Sequence, residues 1–427
     1  MMKIKTQISA GRPITHASRT LLPAVWSFVL IAAANVQAEN WPSWRGPRGD
    51  GTSQETSVPV TWSASENIAW KTELPGIGHA APIIWGDLIF TVTALPESLE
   101  RVLLCLDRKT GKIQWQKTVV TAPLEKKHAE NSYASATPAT DGKNVFVAFL
   151  DGASVVVAAY DFSGNLLWTV KPGTFASEWG FASSPQIFGD RLIINCDSKD
   201  ENFLAALSLA DGKTLWKTKR PNPSQSYSTP LIRKMAGLDQ IIQPGSKSVS
   251  SYAPQDGHCL WTVDGKYSDF VASPVYSDPA GLILTSSSWP NRLLMAIKPD
   301  GSGNVTATHV AWSSAPGAPY VPSPIAAGEY FLTVAATKAF CLKAATGEIL
   351  WQQELGQHHA SPVVANGAVY FLNDNGVMNV VKPGPAFELI SRNELGEKTF
   401  AQPAISQGQL FIRGFKNLYC IGKPATQ

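Results

Sequence analysis

The sequence is poor in charge, and the charge it has is nearly balanced. Charged residues make up 16% of its 427 residues, and the formal net charge is only +3. A dedicated nucleic-acid binder carries a clustered basic surface, and no basic cluster with interleaved aromatic residues occurs along this chain. We therefore expect no nucleic-acid partner.

Cysteine is also scarce. An odd number of cysteines leaves at least one thiol unpaired, and no two of them are adjacent or arranged as CxxC. The segments LLCLD, AFCLK and LYCIG place three of them in apolar, strand-like surroundings. We expect buried, unreactive thiols rather than a disulfide framework or a metal site. The five are Cys105, Cys196, Cys259, Cys341 and Cys420.

Helical periodicity is missing after the first 38 residues. No segment there keeps apolar residues at i, i+3, i+4 and i+7 over several turns. Glycine (33) and proline (30) are frequent instead, which suits short strands joined by tight turns. The composition therefore favours an all-β fold.

The N-terminus has the layout of a secretory signal peptide. Lysines and arginines between residues 3 and 19 precede an apolar run over residues 21–34, and Val-Gln-Ala ends at Ala38. A membrane anchor is the alternative, but the run is shorter than the roughly 20 residues that span a bilayer, and it contains Pro23. We expect a signal peptide over residues 1–38, a periplasmic or secreted protein, and no integral membrane span after cleavage.

Two landmarks recur along the rest of the chain. One is a small residue followed by proline, at intervals of 38 to 56 residues. The other is a tryptophan, preceded in five units by a glycine four residues earlier. The prolines are Pro82, Pro138, Pro185, Pro230, Pro274, Pro324, Pro362 and Pro403. The tryptophans are Trp70, Trp115, Trp168, Trp216, Trp261, Trp312 and Trp351.

One unit, ASATPATDGKNVFVAFLDGASVVVAAYDFSGNLLW, predicts four short strands with glycines at the turns. Units of this length with four strands are typical of β-propeller blades. Eight are counted, but the last supplies only three strands, so we predict that residues 67–74 complete it and close the ring. The prediction is a single eight-bladed propeller of four-stranded antiparallel blades over residues 67–427. Seven blades are the alternative, because the seventh unit has Ile390 near the place where a tryptophan is expected.

The opening stretch NWPSWRGPRGDG belongs to a segment over residues 39–66, which we call the strap. We expect Trp41, Trp44 and Trp62 to hold it against the propeller. Its Arg-Gly-Asp tripeptide resembles a cell-adhesion motif, but we interpret it as a chance occurrence.

The units CLDRKTGKIQW, LSLADGKTLW and CLKAATGEILW resemble the pyrroloquinoline-quinone-like propeller repeat, over about residues 62–420. WPSWRGPRGDG is similar to the lead segment of secreted bacterial proteins of that type. The resemblance implies that the repeat tryptophans dock between adjacent blades. The residues concerned are Trp115, Trp168, Trp216, Trp261, Trp312 and Trp351.

Two functional branches share this repeat. Quinoprotein alcohol dehydrogenases hold their cofactor with a vicinal disulfide, a stacking tryptophan and a calcium site, and no adjacent cysteines exist here. The other branch includes a non-enzymatic propeller lipoprotein of the outer-membrane β-barrel assembly machinery, whose lipid-anchoring cysteine is also missing. We therefore expect no cofactor, and pyrroloquinoline quinone with calcium remains an alternative.

The residues just before each repeat proline should converge at one end of the propeller axis. Next to the proline they are mostly small, and an aromatic ring or imidazole lies slightly further out. Such rings form either a pocket for a flat ligand or a peptide, or a seal over the core. Glu178, Trp179 and Arg292 are possible additions. The predicted site residues are His79, Tyr133, Phe181, Tyr227, Phe270, Tyr320, His358, His359 and Phe400.

These features predict an exported, monomeric, non-catalytic scaffold that binds a protein partner or a small ligand at the mouth of its axis. No metal site is expected, since the histidines lack acidic or cysteine partners at a recognisable spacing. Two alternatives remain open: a dehydrogenase-like quinoprotein dependent on pyrroloquinoline quinone, and a carbohydrate-binding propeller.

Overall fold

The structure is a computed structural model that describes residues 2, 5–13, 38–63, 65–176, 178–245, 247–265 and 269–423. The chain divides into two units, Met1–Asn35 and Val36–Gln427. The described residues of the first unit are exposed and form neither helix nor strand. The apolar core of the predicted signal peptide falls in residues 14–37, outside the described residues. Within the described ranges, no helix is both long and apolar enough to cross a membrane.

The second unit forms eight sheets, which confirms the predicted all-β, eight-bladed propeller of four-stranded antiparallel blades. The first strand of each blade starts directly after its repeat proline, where a missing N–H group is tolerated. Blade 1 contains β2 (Ile83–Trp85), β3 (Leu88–Leu95), β4 (Glu100–Asp107) and β5 (Ile113–Thr121); blade 2 contains β6 (Ala139–Thr140), β7 (Asn144–Asp151), β8 (Ser154–Asp161) and β9 (Leu166–Thr174); blade 3 contains β10 (Gln186–Phe188), β11 (Arg191–Asp197), β12 (Asn202–Ser208) and β13 (Thr214–Lys219); blade 4 contains β14 (Leu231–Met235), β15 (Leu238–Gly245), β16 (Ser248–Tyr252) and β17 (Cys259–Asp264).

Blade 4 gains a fifth, two-residue strand, β21 (Gly303–Asn304), which pairs parallel to β17. A four-residue helix, α1 (Thr306–His309), follows it, and a 3₁₀ turn occurs at Pro96–Ser98. Blade 5 contains β18 (Val275–Ser277), β19 (Leu282–Ser287), β20 (Leu293–Ile297) and β22 (Val310–Ser314); blade 6 contains β23 (Ile325–Ala327), β24 (Tyr330–Ala335), β25 (Lys338–Lys343) and β26 (Ile349–Glu354); blade 7 contains β27 (Val363–Ala365), β28 (Ala368–Leu372), β29 (Val377–Lys382) and β30 (Glu388–Glu394); blade 8 contains β31 (Ala404–Ser406), β32 (Gln409–Arg413), β33 (Asn417–Ile421) and β1 (Ile68–Glu73).

Strand position within a blade explains the hydrophobic pattern of the sequence. Middle strands such as β7 and β8 are buried over six consecutive residues, because both of their faces pack on neighbouring blades. Outer strands such as β5 alternate between half-buried and exposed residues. The continuous apolar runs therefore mark middle strands, and the alternating runs mark outer strands.

The first strand of the propeller sequence is the outermost strand of its last blade. β1 pairs antiparallel with β33, so that Trp70 lies opposite Cys420 and Glu73 opposite Asn417. The sheet order is β1, β33, β32, β31. Residues from both ends of the propeller sequence thus form blade 8.

The recurring tryptophan lies in the outer strand of one blade and contacts the next blade. Trp216 in blade 3 donates its indole N–H to the carbonyl of Pro254 in blade 4, at 3.0 Å. Its ring also lies against Gly257, where a Cβ atom would come within 2.4 Å of the ring. Gly257 has a φ of +74°, which glycine adopts at little cost. The same indole-to-carbonyl bond is made by Trp70, Trp115, Trp168, Trp261, Trp312 and Trp351.

The strap lies across the end of the propeller where the first strand of each blade turns into the second. Trp41 exchanges two backbone hydrogen bonds with Ile84 of blade 1, each 2.9 Å long. The backbone of Gly51 accepts a hydrogen bond from Val364 of blade 7, also at 2.9 Å. Because the strap also bonds blades 2, 4, 6 and 8, it crosses the axis and covers this end.

Two of the three strap tryptophans are buried. Trp41 is fully buried, and Trp62 is 3% exposed in the apolar cluster that includes residues of blades 7, 8 and 1. The backbone N–H of Trp62 donates to Asn393 on β30, at 2.8 Å. By strand register, Ser391 occupies the position in blade 7 that the repeat tryptophan occupies in blade 6, and Trp62 packs beside this strand. Trp44 is only half-buried.

The Arg-Gly-Asp tripeptide is bonded internally. Arg48 pairs with Glu39 at 2.6 Å. Asp50 is buried and pairs with Arg233 of blade 4 at 2.5 Å. A carboxylate used in this way is not presented to a receptor. The tripeptide therefore fixes the strap to the propeller.

Candidate functional site

The end of the propeller opposite the strap carries all the predicted site residues, and we call it the mouth. It consists of the segments that lead into the first strands and the shorter loops that join second to third strands. Antiparallel pairing places both sets at the same end of the blades. The entering segments are residues 75–82, 122–138, 178–185, 220–230, 269–274, 315–324, 355–362 and 395–403.

Small hydroxyl residues line the axis just inside the mouth. In blades 1 to 6, the residue before the repeat proline donates its backbone N–H to the side-chain hydroxyl at the same position of the next blade, over 2.9 to 3.0 Å. The series begins at Ala81 and runs through Thr137, Ser184, Thr229, Ser273, Ser323 and Ser361. In blade 8 the position is Gln402, which is buried and takes no part in the series. These bonds hold the mouth segments of blades 1 to 7 in a fixed order around the axis.

Three predicted residues meet on the side of the mouth formed by blades 7, 8 and 1. The ring of His359 stacks on Phe400, with centroids 4.0 Å apart and planes 23° apart. His79 contacts the edge of Phe400 at 5.0 Å. Phe415, from the loop between β32 and β33, packs against both His79 and Phe400. Sequence analysis missed Phe415, because it does not precede a repeat proline.

His359 lies between two carboxylates. Its Nδ1 is 2.9 Å from Asp374, and its Nε2 is 3.5 Å from Glu130 in the long segment 122–138. Burial alone would lower the pKa of His359, but Asp374 and then Glu130 outweigh burial and raise it. A protonated His359 therefore ties the segment 122–138 to blade 7.

Replacing Asp374 with asparagine should lower the pKa of His359, because the main stabilising charge is removed. Glu130→Gln should lower it less, since Glu130 is more distant and more exposed. NMR titration of the His359 ring measures both effects, with surface residue His258 as the reference. Because the pKa of His359 is higher in the folded state, its protonation adds to the free energy of unfolding, and this contribution is complete below the ordinary pKa of about 6.5. The contribution should be lost as the pH rises through the folded pKa. An unchanged titration in Asp374→Asn would contradict this account.

His79 and His358 are in the opposite electrostatic situation. Burial, followed by the nearby charge of Arg413, lowers the pKa of His79 to about 3. Burial lowers the pKa of His358 to about 4. His358 points inward, with Nδ1 2.6 Å from the carbonyl of Gly356, and is 2% exposed. Both imidazoles are therefore neutral at physiological pH.

Several predicted residues belong to the interior and not to the surface of the mouth. Phe270 is fully buried, and Phe181 and Tyr227 are also buried. Phe181 and Tyr227 both pack edge-on against Phe175. Tyr133 is half-buried beneath Lys127, whose ammonium lies 5.2 Å from the ring centroid. These four rings support the mouth without forming its outer surface.

Exposed aromatic rings lie in mouth loops of blades 3, 5 and 6. Tyr320 is 44% exposed, with the Arg292 guanidinium 5.1 Å from its ring centroid. Trp179 is 44% exposed and lies edge-on to His128. Trp289 is the most exposed aromatic residue of the described chain, at 60%. The sequence pattern does not reveal Trp289, because it lies in the loop after β19, which contains neither the repeat proline nor the repeat tryptophan.

The acidic, histidine and cysteine side chains of the described residues form no metal-binding cluster, and the cysteines are unpaired. Among the described residues, no group of three or more histidine, cysteine or acidic side chains is placed to hold a metal ion. All five cysteines are free thiols; Cys259 is exposed and the other four are buried. Burial raises the pKa of Cys105 and Cys420 to about 12, which keeps these thiols protonated and unreactive.

The repeat, the blade count and the docked tryptophans together define a propeller of the pyrroloquinoline-quinone-like type. The family described as outer membrane protein assembly factor BamB matches residues 99–274 and 291–382, and the chain belongs to this family. No curated protein matches the sequence.

Solved structures with this fold come from both functional branches. BamB from Moraxella catarrhalis superposes with a TM-score of 0.59 at 15% identity, covering 84% of this chain and 98% of its own. A europium-containing methanol dehydrogenase gives 0.56 at 10% identity, covering 90% and 98%. A quinohemoprotein alcohol dehydrogenase from Comamonas testosteroni gives 0.54 at 13% identity, covering 91% and 81%. At these identities the similarity shows the fold alone.

Proposed function

We propose that this chain is an exported, non-catalytic scaffold that binds a protein partner at its mouth. The observation that carries the proposal is where its exposed aromatic side chains lie. Among the described residues, four tryptophan, tyrosine and phenylalanine side chains are exposed to solvent, and all four belong to mouth loops. They are Trp179, Trp289, Tyr320 and Phe415.

Exposed aromatic rings gathered at one end of a protein are typical of binding surfaces. Tryptophan, tyrosine and arginine contribute most to the energy of protein interfaces, because they bury large areas and retain a polar group. The Arg292 guanidinium already lies over the Tyr320 ring, so less side-chain entropy is lost when a partner covers the pair. This pair and Trp289 are the expected centre of the interface.

The opposite end of the propeller is less available. The strap crosses it and forms hydrogen bonds with six blades. Membership of a family described as an assembly factor for outer membrane proteins also supports a protein partner. A scaffold of this kind needs a rigid surface, and the linked hydroxyl residues along the axis provide one.

The proposal predicts that Trp289→Ala with Tyr320→Ala weakens partner binding about 30-fold or more, the loss expected for interface residues worth at least about 2 kcal/mol. The partner is first identified in cells by placing a photo-crosslinking amino acid at position 289 and, for comparison, at position 167. Affinity of the purified pair is then measured by calorimetry. Leu166→Ala with Leu167→Ala, on the outer strand β9, serves as the matched control and should change affinity less than about twofold.

Crosslinks from position 167 but not from 289, or equal affinities of the mouth variant and the control variant, would overturn the proposal.

Exposed tryptophans also suit a carbohydrate ligand. Saturable quenching of tryptophan fluorescence by oligosaccharides, lost in the mouth variant, would replace the protein partner with a sugar.

A further inference from the structure

Glu55 of the strap is a buried carboxylate whose known partners are all backbone N–H groups. It is 4% exposed. Its oxygens accept hydrogen bonds from Gln407 at 2.5 Å and from Gly408, both in the turn between β31 and β32. The third donor is the backbone nitrogen of Glu39, at 2.9 Å. Burying an ionised carboxylate is costly unless a cation pairs with it, and no lysine, arginine or histidine of the described chain forms an ion pair with Glu55.

Glu39 is itself held in place on every side. Its carboxylate pairs with Arg48 and accepts from Ser53 and from the backbone of Gln54. Its carbonyl accepts a hydrogen bond from Ser406 at 2.6 Å. By contrast, Ala38 is exposed and forms no hydrogen bond within the described residues. The firmly bonded part of the strap thus begins at Glu39, the first residue after the expected cleavage site.

We infer that the α-ammonium group created by cleavage after Ala38 is the counterion of Glu55 in the mature protein. The step is hydrolysis of the Ala38–Glu39 peptide bond. One water molecule is consumed, Ala38 becomes a C-terminal carboxylic acid and Glu39 gains a free α-amine. The acid releases a proton and the amine takes one up, which leaves a carboxylate and an α-ammonium group. A single amide N–H at 2.9 Å from Glu55 then becomes a charged group with three N–H donors at the same position. The inference rests on the proposed export, but not on binding at the mouth.

The consequence is a bond that exists only in the processed chain. Glu55 holds the turn of blade 8 through Gln407 and Gly408, so the new ammonium fastens the beginning of the strap to the last blade. A charge-assisted hydrogen bond is about twice as strong as a neutral one. Retaining residues before Glu39 leaves Glu55 with neutral donors only.

Thermal unfolding tests this with chains that begin at Glu39 and chains that begin at Gln37. The Glu39 chain should unfold roughly 2–4 °C higher, and Glu55→Gln should abolish the difference. Glu73→Gln, an exposed carboxylate on β1, is the matched control and should preserve it. Equal unfolding temperatures of the two chains, or a difference that survives Glu55→Gln, would overturn the inference.

A pH series covers the case in which Glu55→Gln does not fold. The ammonium should have a pKa above the ordinary α-amino value of about 7.7–8.0. The advantage of the Glu39 chain should therefore be complete below that value and disappear as pH rises through the folded pKa. Acetylation of the Glu39 amine should remove the advantage at every pH, and an advantage unaffected by acetylation would contradict the inference. Failure here would leave the binding test at the mouth unaffected, since that test uses other residues.

Discussion

Replacing Gly257 with alanine should lower the free energy of unfolding by about 3 kcal/mol. Two costs add together. An alanine in the left-handed backbone region costs about 1–2 kcal/mol, and forcing an atom into a packed site costs about 1–3 kcal/mol. The added Cβ would lie 2.4 Å from the Trp216 ring and 2.6 Å from the Thr218 hydroxyl. Urea-induced unfolding measures the loss.

Gly237 offers a matched control for this substitution. Its φ is +82°, but a Cβ atom there would meet nothing within 4 Å. Gly237→Ala should therefore show only the backbone cost, about 1–2 kcal/mol. The difference between the two variants isolates the contact of the tryptophan with the next blade. Equal losses would show that the repeated glycine serves its turn alone and does not serve tryptophan docking.

Acid should destabilise the protein through His79 and His358. Both have a folded pKa well below the ordinary value, at about 3 and about 4. Between pH 6.5 and these values the unfolded chain binds protons that the folded chain excludes, so stability falls as pH falls. Each excluded proton costs up to about 1.4 kcal/mol per pH unit. Between pH 6.5 and pH 4.5 each histidine should cost about 2 kcal/mol, so the expected loss from the pair is about 4 kcal/mol.

Neighbouring charges act differently on the protonation of the two rings. Arg413, His359 and Lys127 oppose protonation of His79, whereas Asp374 favours protonation of His358. The double variant His79→Phe with His358→Asn should flatten the decline in unfolding free energy between pH 6.5 and 4.5. His258→Gln, at an exposed position, should leave the decline intact. Parallel pH profiles for the double variant and the parent would contradict the assignment.

The architecture could be predicted because it is repeated. Each proline marks the start of a first strand, since only there is a missing N–H harmless. The glycine four residues before a tryptophan meets two structural requirements. Gly257, for instance, adopts the positive φ of its turn and leaves room for the Trp216 ring of the preceding blade. Errors of a few residues in one unit are corrected by the other seven. The last unit lacks a fourth strand, and the segment at Trp70 has no unit of its own. Together they predict one sheet, which is blade 8.

The mouth was less predictable, because exposure depends on neighbours that are distant in sequence. His358 and His359 are adjacent, yet the first points inward toward Gly356 and the second stacks on Phe400. Phe270 occupies a repeat position like that of Tyr320 but is fully buried. Loops between second and third strands do not follow the repeat.

For the same reason Trp289 and Phe415 carried no signal in the pattern of the sequence. The ring-bearing position before each proline is set by the repeat, so its residue type is partly forced by packing. A loop that joins a second to a third strand escapes that constraint. Its exposed aromatic residues are therefore more informative about binding than the repeated rings, and only the folded arrangement reveals them.

Hydrogen exchange of the propeller, alone and with its cross-linked partner, tests the central claim most directly. We predict slower exchange in the mouth segments 178–185, 288–292 and 315–324, and no change in residues 39–60 of the strap. Protection confined to the strap or to the outer strands, with unchanged mouth segments, would contradict a binding function at the mouth.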